Sequence, residues 1–171
     1  MTLHSTRSAM LIAASPRQSP GNPPAVSVST HSRFSFHTYG DGKDSTVNDI
    51  EDHRILVDGY YYWVMKINPV DARARGITQH SLIRVFNDRC SVICAADVSP
   101  MMAAGVCKSY ESSAEIDIFV DPRFGRVDRG GCVNMLTPKR PQVKGTEGMG
   151  SNSCLVEFEP YTLPVEALQR A

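Results

Sequence analysis

The sequence predicts a mainly β domain. From Ala25 onward, short segments rich in Val, Ile, Tyr and Phe are each ended by Gly, Pro, Asn or Asp, which is typical of strands and turns. Several segments are apolar at consecutive positions, as in 92–96, which favours strands covered on both faces, such as a closed barrel provides. The 171 residues suffice for one domain with a sizeable core and are too few for two ordinary domains with linkers.

The chain opens with a segment of different texture. Residues 1–25 are rich in Ser, Pro, Arg and Ala, and no Asp or Glu precedes Asp41, which faintly resembles an organelle transit peptide. A Pro-rich stretch such as 15–24 buries too little apolar surface to order itself. We therefore expect a disordered leader over residues 1–25, in preference to a targeting signal.

Seven segments of the chain are predicted to be strands. Each candidate is bounded by turn-forming residues and enriched in β-branched or aromatic side chains. In chain order, the predicted strands are 25–29, 60–67, 82–86, 92–96, 105–110, 133–136 and 154–158. The aromatic run 60–63 lies within the second of these, and we expect it to supply core on one face and a half-exposed ring on the other.

A short helix is predicted after the second strand. Asn68 can cap its first turn, Pro69 suits the first helical position, and Asp71 lies where a carboxylate meets free N–H groups. Gly76 can take the left-handed conformation that ends a helix. About two turns of helix are too short to be stable without packing against the sheet.

A β-hairpin follows the helix. Residues 82–86 and 91–95 flank a turn that contains Asn87 and Asp88, both of which tolerate tight-turn conformations. The sequence therefore predicts that these two strands pair antiparallel.

Composition excludes several classes of protein. Eighteen basic and eighteen acidic residues give no net charge, so a general nucleic-acid binder is not expected. Five cysteines form no C-x-x-C pair, and we interpret them as reduced, mostly buried thiols. The apolar run 9–14 is far too short for a spanning helix, so no membrane span is expected; the cytoplasm is only the default compartment.

The run 68–77, followed by 82–89, resembles the signature of the molybdopterin-dinucleotide-binding domain of the dimethyl sulfoxide reductase family of molybdenum and tungsten oxidoreductases. Residues 29–38 are similar to the family's segment at the end of the first barrel strand, beside the pterin. Residues 128–138 and 148–153 are similar to its later cofactor loops. Three stretches, 58–63, 109–112 and 128–132, resemble the family's transhydroxylase branch.

This resemblance implies a six-stranded double-psi β-barrel with short helices over residues 26–161, and a C-terminal tail over 162–171. It also implies a cofactor, molybdopterin guanine dinucleotide, through whose pterin the molybdenum or tungsten is held. The residues that it assigns to cofactor binding are His31, Arg33, His37, Asn68, Asp71, Asn134, Thr137, Gly150, Ser151 and Asn152.

The residue types suit such a ligand. Arginine and histidine donate to phosphate or pterin oxygens, glycines let the backbone approach closely, and short polar side chains bond base edges. Each has a simpler alternative. Asn68 and Asp71 can serve only to cap the helix, Asn134 and Thr137 can form only a turn before Pro138, and the Gly/Ser loops can be ordinary turns.

In this family the metal-binding side chain and the substrate and electron-transfer residues lie outside the barrel. We therefore expect no catalytic residue here, and a partner in the form of a catalytic large chain, with an iron–sulfur subunit reached through that chain. Alternatives are a cofactor-free barrel used as an interaction module, a non-functional gene fragment, and, least favoured, self-cleavage at Gly150–Ser151. Two departures from the family pattern indicate a detached or decaying gene piece almost as readily as a true small subunit: Cys90 replaces a turn glycine, where a left-handed backbone would be strained, and His80-Ser81 replaces Gly-Asp.

Overall fold

The computed structural model describes residues 22–34, 50–110, 116–138, 145 and 153–164. Within these ranges the chain is mainly β, as predicted, with two short helices. The elements are β1 (Ala25–Thr30), β2 (Arg54–Val57), β3 (Tyr60–Ile67), α1 (Pro69–Ala74), β4 (Leu82–Phe86), β5 (Ser91–Val98), β6 (Val106–Tyr110), β7 (Ile118–Asp121), β8 (Gly125–Asp128), a 3-10 helix (Val133–Leu136) and β9 (Ser153–Pro160).

The nine described strands belong to one hydrogen-bonded sheet in the order β2-β3-β6-β1-β9-β4-β5-β8-β7. An additional parallel pairing joins β3 to β5, with Val64 opposite Ala95. The pairings β3-β6-β1-β9-β4-β5 therefore return to β3. The β2 strand pairs outside this circuit at one edge, and β8 and β7 pair outside it at the other.

The strand directions give this circuit two ends. Parallel strands β1 and β6 both finish at one end, where Thr30 pairs with Tyr110, and antiparallel β9 begins there. We call it the exit end. The opposite end, where β1 and β6 begin and where β3 leads into α1, is called the helix end.

The core lies on both faces of β5. Residues 91–96 are all buried. Val92, Cys94 and Ala96 pack in one apolar cluster, whereas Ile93 and Ala95 pack in another. Because alternate side chains of a strand point to opposite faces, both faces of β5 are covered, as its continuous apolar run predicted.

The aromatic run at the start of β3 divides as expected. Tyr62 and Trp63 are 0% and 5% exposed, whereas Tyr61 is 41% exposed. The guanidinium of Arg54 lies 5.0 Å from the centre of the Tyr61 ring, so this exposed ring is still covered on one side.

The predicted helix and its caps are confirmed. The side-chain oxygen of Asn68 accepts a 2.7 Å hydrogen bond from the Val70 N–H, and Pro69 takes the first helical position. Gly76 has φ of +67°, the left-handed conformation that the sequence required after this helix.

The predicted hairpin is also confirmed, with Val85 opposite Val92. Asn87 forms its turn by accepting a 3.0 Å hydrogen bond from the Arg89 N–H. Cys90 does not have a positive φ, so the strain expected for a left-handed cysteine does not arise. His80 does have one, at +62°.

One predicted strand is wrong: residues 133–136 form the 3-10 helix. Short-range hydrogen bonds close this turn, from the Met135 N–H to the Cys132 carbonyl at 3.0 Å and from the Thr137 N–H to the Asn134 carbonyl at 3.2 Å. Strands β2, β7 and β8 were not predicted. Each has only four residues and includes a charged side chain, which weakens the apolar pattern.

The five cysteines are free, and Cys94, Cys107 and Cys132 are buried, in agreement with the expected thiols. Burial raises the pKa of the Cys107 thiol to about 12. No helix in the described part of the chain has the length and apolarity to cross a membrane. Most of the predicted leader and tail, residues 1–21 and 165–171, lies outside the described residues.

Candidate cofactor-binding site

The turn that follows β1 carries two of the predicted cofactor residues. His31 and Arg33 are exposed, while Ser32 between them is only 4% exposed. The Ser32 hydroxyl accepts a 3.1 Å hydrogen bond from the Phe34 N–H, and the Arg33 guanidinium lies 4.6 Å from the centre of the Phe34 ring. The turn therefore directs Ser32 inward, with the exposed His31 and Arg33 on either side of it at the exit end.

A buried histidine lies beneath this turn. His53 is fully buried, and its Nε2 is hydrogen-bonded to the Ser32 hydroxyl. Its ring stacks on Trp63 with centroids 6.1 Å apart and meets Tyr110 edge-on at 5.0 Å. The Val64 N–H donates to the His53 carbonyl at 2.9 Å, which fixes the backbone of this residue beside β3.

A polar group flanks the histidine. The Tyr110 hydroxyl donates to Asp52 at 2.6 Å, and Lys66 pairs with both Asp52 and Asp97. Burial disfavours the ionised Asp52 carboxylate, but hydrogen bonds from Lys66 and Tyr110 outweigh burial and lower its pKa. Burial and the bond to Asp52 raise the pKa of Tyr110. These contacts fix the end of β6 at the exit end.

The segment after β8 is organised by one buried carboxylate. Asp128 is fully buried and accepts hydrogen bonds from the N–H groups of Asp117, Gly130 and Cys132 at 2.8, 3.0 and 2.7 Å. Residues 128–138 resemble a cofactor loop in sequence, but this structural role of Asp128 was not predicted. A carboxylate with three backbone donors holds the start of the segment in one conformation.

Gly131 continues the same segment and needs to be glycine. Its φ is +73°, and an added Cβ would lie 3.2 Å from both the Trp63 Cβ and the Ile93 carbonyl oxygen. The backbone therefore approaches β3 and β5 more closely than a side chain would allow.

Asn134 and Thr137 lie further along, also at the exit end. Asn134 is exposed, and Thr137 is half-buried with its hydroxyl donating to the Asn134 carbonyl at 2.8 Å. The Leu136 carbonyl between them accepts 2.8 Å hydrogen bonds from Asn87 and Arg89 of the hairpin turn. The 3-10 helix is thereby joined to the β4–β5 turn.

A cavity of about 270 Å³ opens between this hairpin turn and β8. Two of its lining side chains are the guanidiniums of Arg89 and Arg126, and Cys90 supplies a thiol whose pKa is raised by burial. The other lining residues are Ile118, Val127, Asp128 and Met135. The arrangement suits an anionic group with an apolar part.

Asn68 and Asp71 lie at the helix end instead. The Asn68 amide nitrogen donates to the Met102 carbonyl at 2.6 Å, and Asp71 accepts from the Gly105 N–H at 2.7 Å. With the cap to Val70, both polar atoms of the Asn68 side chain are engaged in joining α1 to its surroundings. Along β1 the two ends are about 16 Å apart, so one ligand reaches both groups only if it is extended.

Arg75, in the same motif, has a structural role that the sequence did not reveal. It pairs with Glu157 at 3.2 Å, donates to the Pro23 carbonyl at 2.8 Å, and lies 4.4 Å from the centre of the Phe158 ring. Both side chains of the ion pair are buried, at 6% and 1% exposure.

The remaining predicted residues, His37, Gly150, Ser151 and Asn152, lie outside the described residues. Ser153, which follows them in the chain, begins β9 at the exit end. Among the residues that the structure describes, no group of three or more His, Cys, Asp or Glu side chains is arranged to hold a metal ion.

Comparison with known proteins identifies the family. The model of the family described as "Molydopterin dinucleotide binding domain" matches residues 35–155, which is most of the chain. The chain belongs to this family. The recognition made from the signature is thereby confirmed, and so is the expected cofactor class, molybdopterin dinucleotide.

Several larger proteins are similar to the chain. The pyrogallol hydroxytransferase large subunit of Pelobacter acidigallici is 50% identical over 138 residues, which cover 81% of this chain and 16% of the relative. The dimethyl sulfoxide reductase DmsA of Escherichia coli K12 is 42% identical over 95 residues, or 56% of this chain and 11% of that protein. The chain thus spans less than a fifth of the length of either relative.

A solved structure shares the fold. Acetylene hydratase from Pelobacter acetylenicus superposes with a TM-score of 0.53 at 10% identity, covering 81% of this chain and 18% of that one. At this identity the likeness concerns the fold alone.

Proposed function

We propose that this molybdopterin-dinucleotide-binding domain takes molybdopterin guanine dinucleotide at its exit end, as one part of a molybdenum or tungsten oxidoreductase. The observation that carries the proposal is topological. The segments that resemble cofactor loops, 29–38, 128–138 and 148–153, adjoin the end of β1, the end of β8 and the start of β9. The end of β1 and the start of β9 lie at the exit end. The end of β8 lies there too, because it pairs with the start of β5, which runs parallel to β3.

We further propose that the closed circuit of six strand pairings is the six-stranded double-psi β-barrel that the resemblance implies. The pairing of β3 with β5 supports this, because it leaves no free edge among the six strands. A closed circuit gathers the loops of one end into a small area, which is what a ligand with several polar groups requires.

The donor set at the exit end fits the cofactor's chemistry. His31 and Arg33 offer donors to pyrophosphate or pterin oxygens, and a guanidinium binds phosphate in a bidentate manner. Asn134 offers an amide, which both donates and accepts, and Thr137 a hydroxyl. His37, Gly150, Ser151 and Asn152 stay as predicted contacts. When bound, the cofactor supplies the dithiolene ligands for the metal; this chain's residues bind and orient it.

The capping alternative suits Asn68, whose two polar side-chain atoms bond the Val70 N–H and the Met102 carbonyl. One carboxylate oxygen of Asp71 accepts from the Gly105 N–H, so this residue joins α1 to the start of β6. Contact of these two residues with the nucleotide stays a prediction, and it requires the dinucleotide to extend toward the helix end.

The proposed partner is the catalytic remainder of the oxidoreductase. The Pelobacter acidigallici relative extends over about six times the matched length, so substrate and electron-transfer residues are assigned to that remainder. On this proposal the domain does not turn over substrate by itself. An iron–sulfur subunit reached through the catalytic part is the corresponding further partner.

The test is to isolate the tagged protein from its own cells, measure the mass of its assembly, and assay molybdenum, tungsten and the fluorescence of oxidised pterin. We expect a large assembly that carries metal and pterin. A lone chain with neither would overturn the proposal and favour a cofactor-free interaction module or a gene fragment.

A pair of variants makes this test specific to the exit end. Replacing Arg33 with alanine removes an exposed donor and should lower the pterin content about tenfold, the effect of losing one charged hydrogen bond. Arg73 is equally exposed but lies on α1 at the helix end, so R73A is the matched control. Equal pterin content in the two variants would place the site elsewhere.

A further inference from the structure

Three parts of the exit end meet at one buried side chain. His53 contacts Ser32 of the turn after β1, Tyr110 at the end of β6, and Trp63 at the start of β3. Trp63 is in turn the residue against which Gly131 packs. The imidazole therefore lies where the turn after β1, the end of β6 and the start of β3 come together.

The hydrogen bond between His53 and Ser32 determines how the turn after β1 is oriented. Ser32 is the inward residue between His31 and Arg33, and its hydroxyl also accepts from the Phe34 N–H. Ser32 is buried and the residues on either side of it are exposed, so holding Ser32 inward keeps the two donors outward. Rotation of the turn would move both donors together.

The surroundings of the His53 ring explain why its hydrogen bond goes to Ser32. Among the described residues, the other ring nitrogen of His53, Nδ1, has no hydrogen-bond partner and is buried. The rest of the ring meets aromatic faces and edges, from Phe34 at 5.9 Å, Tyr110 and Trp63. Aromatic packing holds the plane of the ring, and the hydrogen bond at Nε2 joins the ring to Ser32.

We propose that His53 is a positioning residue for cofactor binding: it holds the turn of residues 31–34 through Ser32, so that His31 and Arg33 present their donors to the cofactor. The inference rests on the proposed function of the exit end. His53 itself is fully buried and acts through the serine, without touching the ligand.

The experiment uses the holoprotein purified from its own cells. His53→Phe keeps an aromatic ring but cannot bond Ser32, whereas His53→Gln keeps an amide N–H near the position of Nε2. Ser32→Ala removes the same hydrogen bond from the other side. Ser109→Ala is the matched control, because Ser109 is 2% exposed and also donates one buried hydrogen bond, at 3.1 Å to the Val64 carbonyl, but holds no loop of the site.

The measurements are pterin and metal content per chain, the rate at which pterin is lost on dilution, and the rate of tryptic cleavage after Arg33. H53F and S32A should each lower pterin retention about tenfold, the range typical of partners that orient a ligand-binding group. The double variant should lose no more than either single one. Cleavage after Arg33 should be faster in both, and H53Q should restore much of the wild-type behaviour.

The outcomes separate the two proposals. A wild-type protein without pterin would overturn the proposed function, and this inference with it. A loaded wild-type protein with H53F and S32A indistinguishable from S109A would overturn the inference alone. Additive losses in the double variant would do the same, because they would mean that His53 acts independently of Ser32.

Discussion

The buried pair of Arg75 and Glu157 yields a stability prediction that can be worked from its geometry. Arg75→Met removes the charge and keeps most of the side-chain volume. It breaks the 3.2 Å contact with Glu157 and the 2.8 Å hydrogen bond to Pro23. It also ends the stacking of the guanidinium on Phe158. The substitution therefore removes the side-chain contacts that join the end of α1 to β9 and to the residues before β1.

Burial sets the magnitude. The two side chains are 6% and 1% exposed, so removing the arginine leaves a carboxylate in a site shielded from water. Breaking such a pair typically costs about 3–5 kcal/mol. The surface pair of Arg89 and Asp88 provides the control, since its side chains are 34% and 37% exposed. Asp88→Asn should cost less than about 1 kcal/mol.

The assay is urea unfolding of the purified protein, with the free energy of unfolding taken by linear extrapolation. We expect the R75M midpoint to fall well below those of the wild type and D88N. Replacing both partners, as Arg75→Met with Glu157→Leu, should recover most of the loss, because no charge then stays buried. If R75M were no more destabilising than D88N, the pair would be solvated in solution and the reasoning refuted.

Three further predictions concern backbone strain and pH. Gly131→Ala should lower the free energy of unfolding by about 2 kcal/mol, because φ is positive there and the added Cβ would lie 3.2 Å from its neighbours. Gly125→Ala is the control: its φ is +75° but its Cβ would enter open space, so it should cost about half as much in the same unfolding assay. His80→Gly should stabilise by about 1 kcal/mol, since φ there is +62°; an unchanged midpoint would contradict this. Burial opposes the ionisation of Asp121, but hydrogen bonds from Arg123 and Tyr161 outweigh it and lower the pKa of this carboxyl from 3.8 to about 2. The contribution of Asp121 to stability is therefore complete above pH 3.8 and is lost as the pH falls toward 2. Asp121→Asn should therefore be less stable than the wild type at pH 5 and should approach it near pH 2.

The sequence predicted correctly those elements that depend on interactions between residues close together in the chain. Asn68 caps α1 and Gly76 follows it in the left-handed conformation, and both effects depend on neighbours in the chain. The continuous apolar run of β5 likewise predicted burial on both faces. The error at residues 133–136 has the opposite origin. Val133 and Leu136 are apolar enough for a strand, but short-range hydrogen bonds close the turn at 133–136.

Contacts between distant parts of the chain could not be predicted. His53 was not singled out, because a lone histidine in a polar stretch gives no sign of a partner 21 residues away. Asp128 lies in a stretch that resembles a cofactor loop, yet its three backbone donors depend on how β8 and the following turn fold. Such roles depend on tertiary geometry, which periodicity and spacing do not encode.

The first half of the family signature, residues 68–77, and the surface proposed to bind the cofactor lie at opposite ends of the sheet. In the signature stretch, Asn68 caps α1, Asp71 bonds Gly105, and Arg75 pairs with Glu157, so each of these polar side chains is used within the domain.

A sequence can therefore keep these residues under folding constraints alone, since we expect their substitution to destabilise the domain whether or not a ligand binds. His31 and Arg33 at the exit end are exposed, so we expect their substitution to cost less stability than substitution of the buried Arg75. Loss of cofactor binding would consequently leave the fold and its signature intact. Pterin content and the effect of substituting exposed residues at the exit end therefore distinguish a working domain from a remnant, whereas the stability of the fold does not.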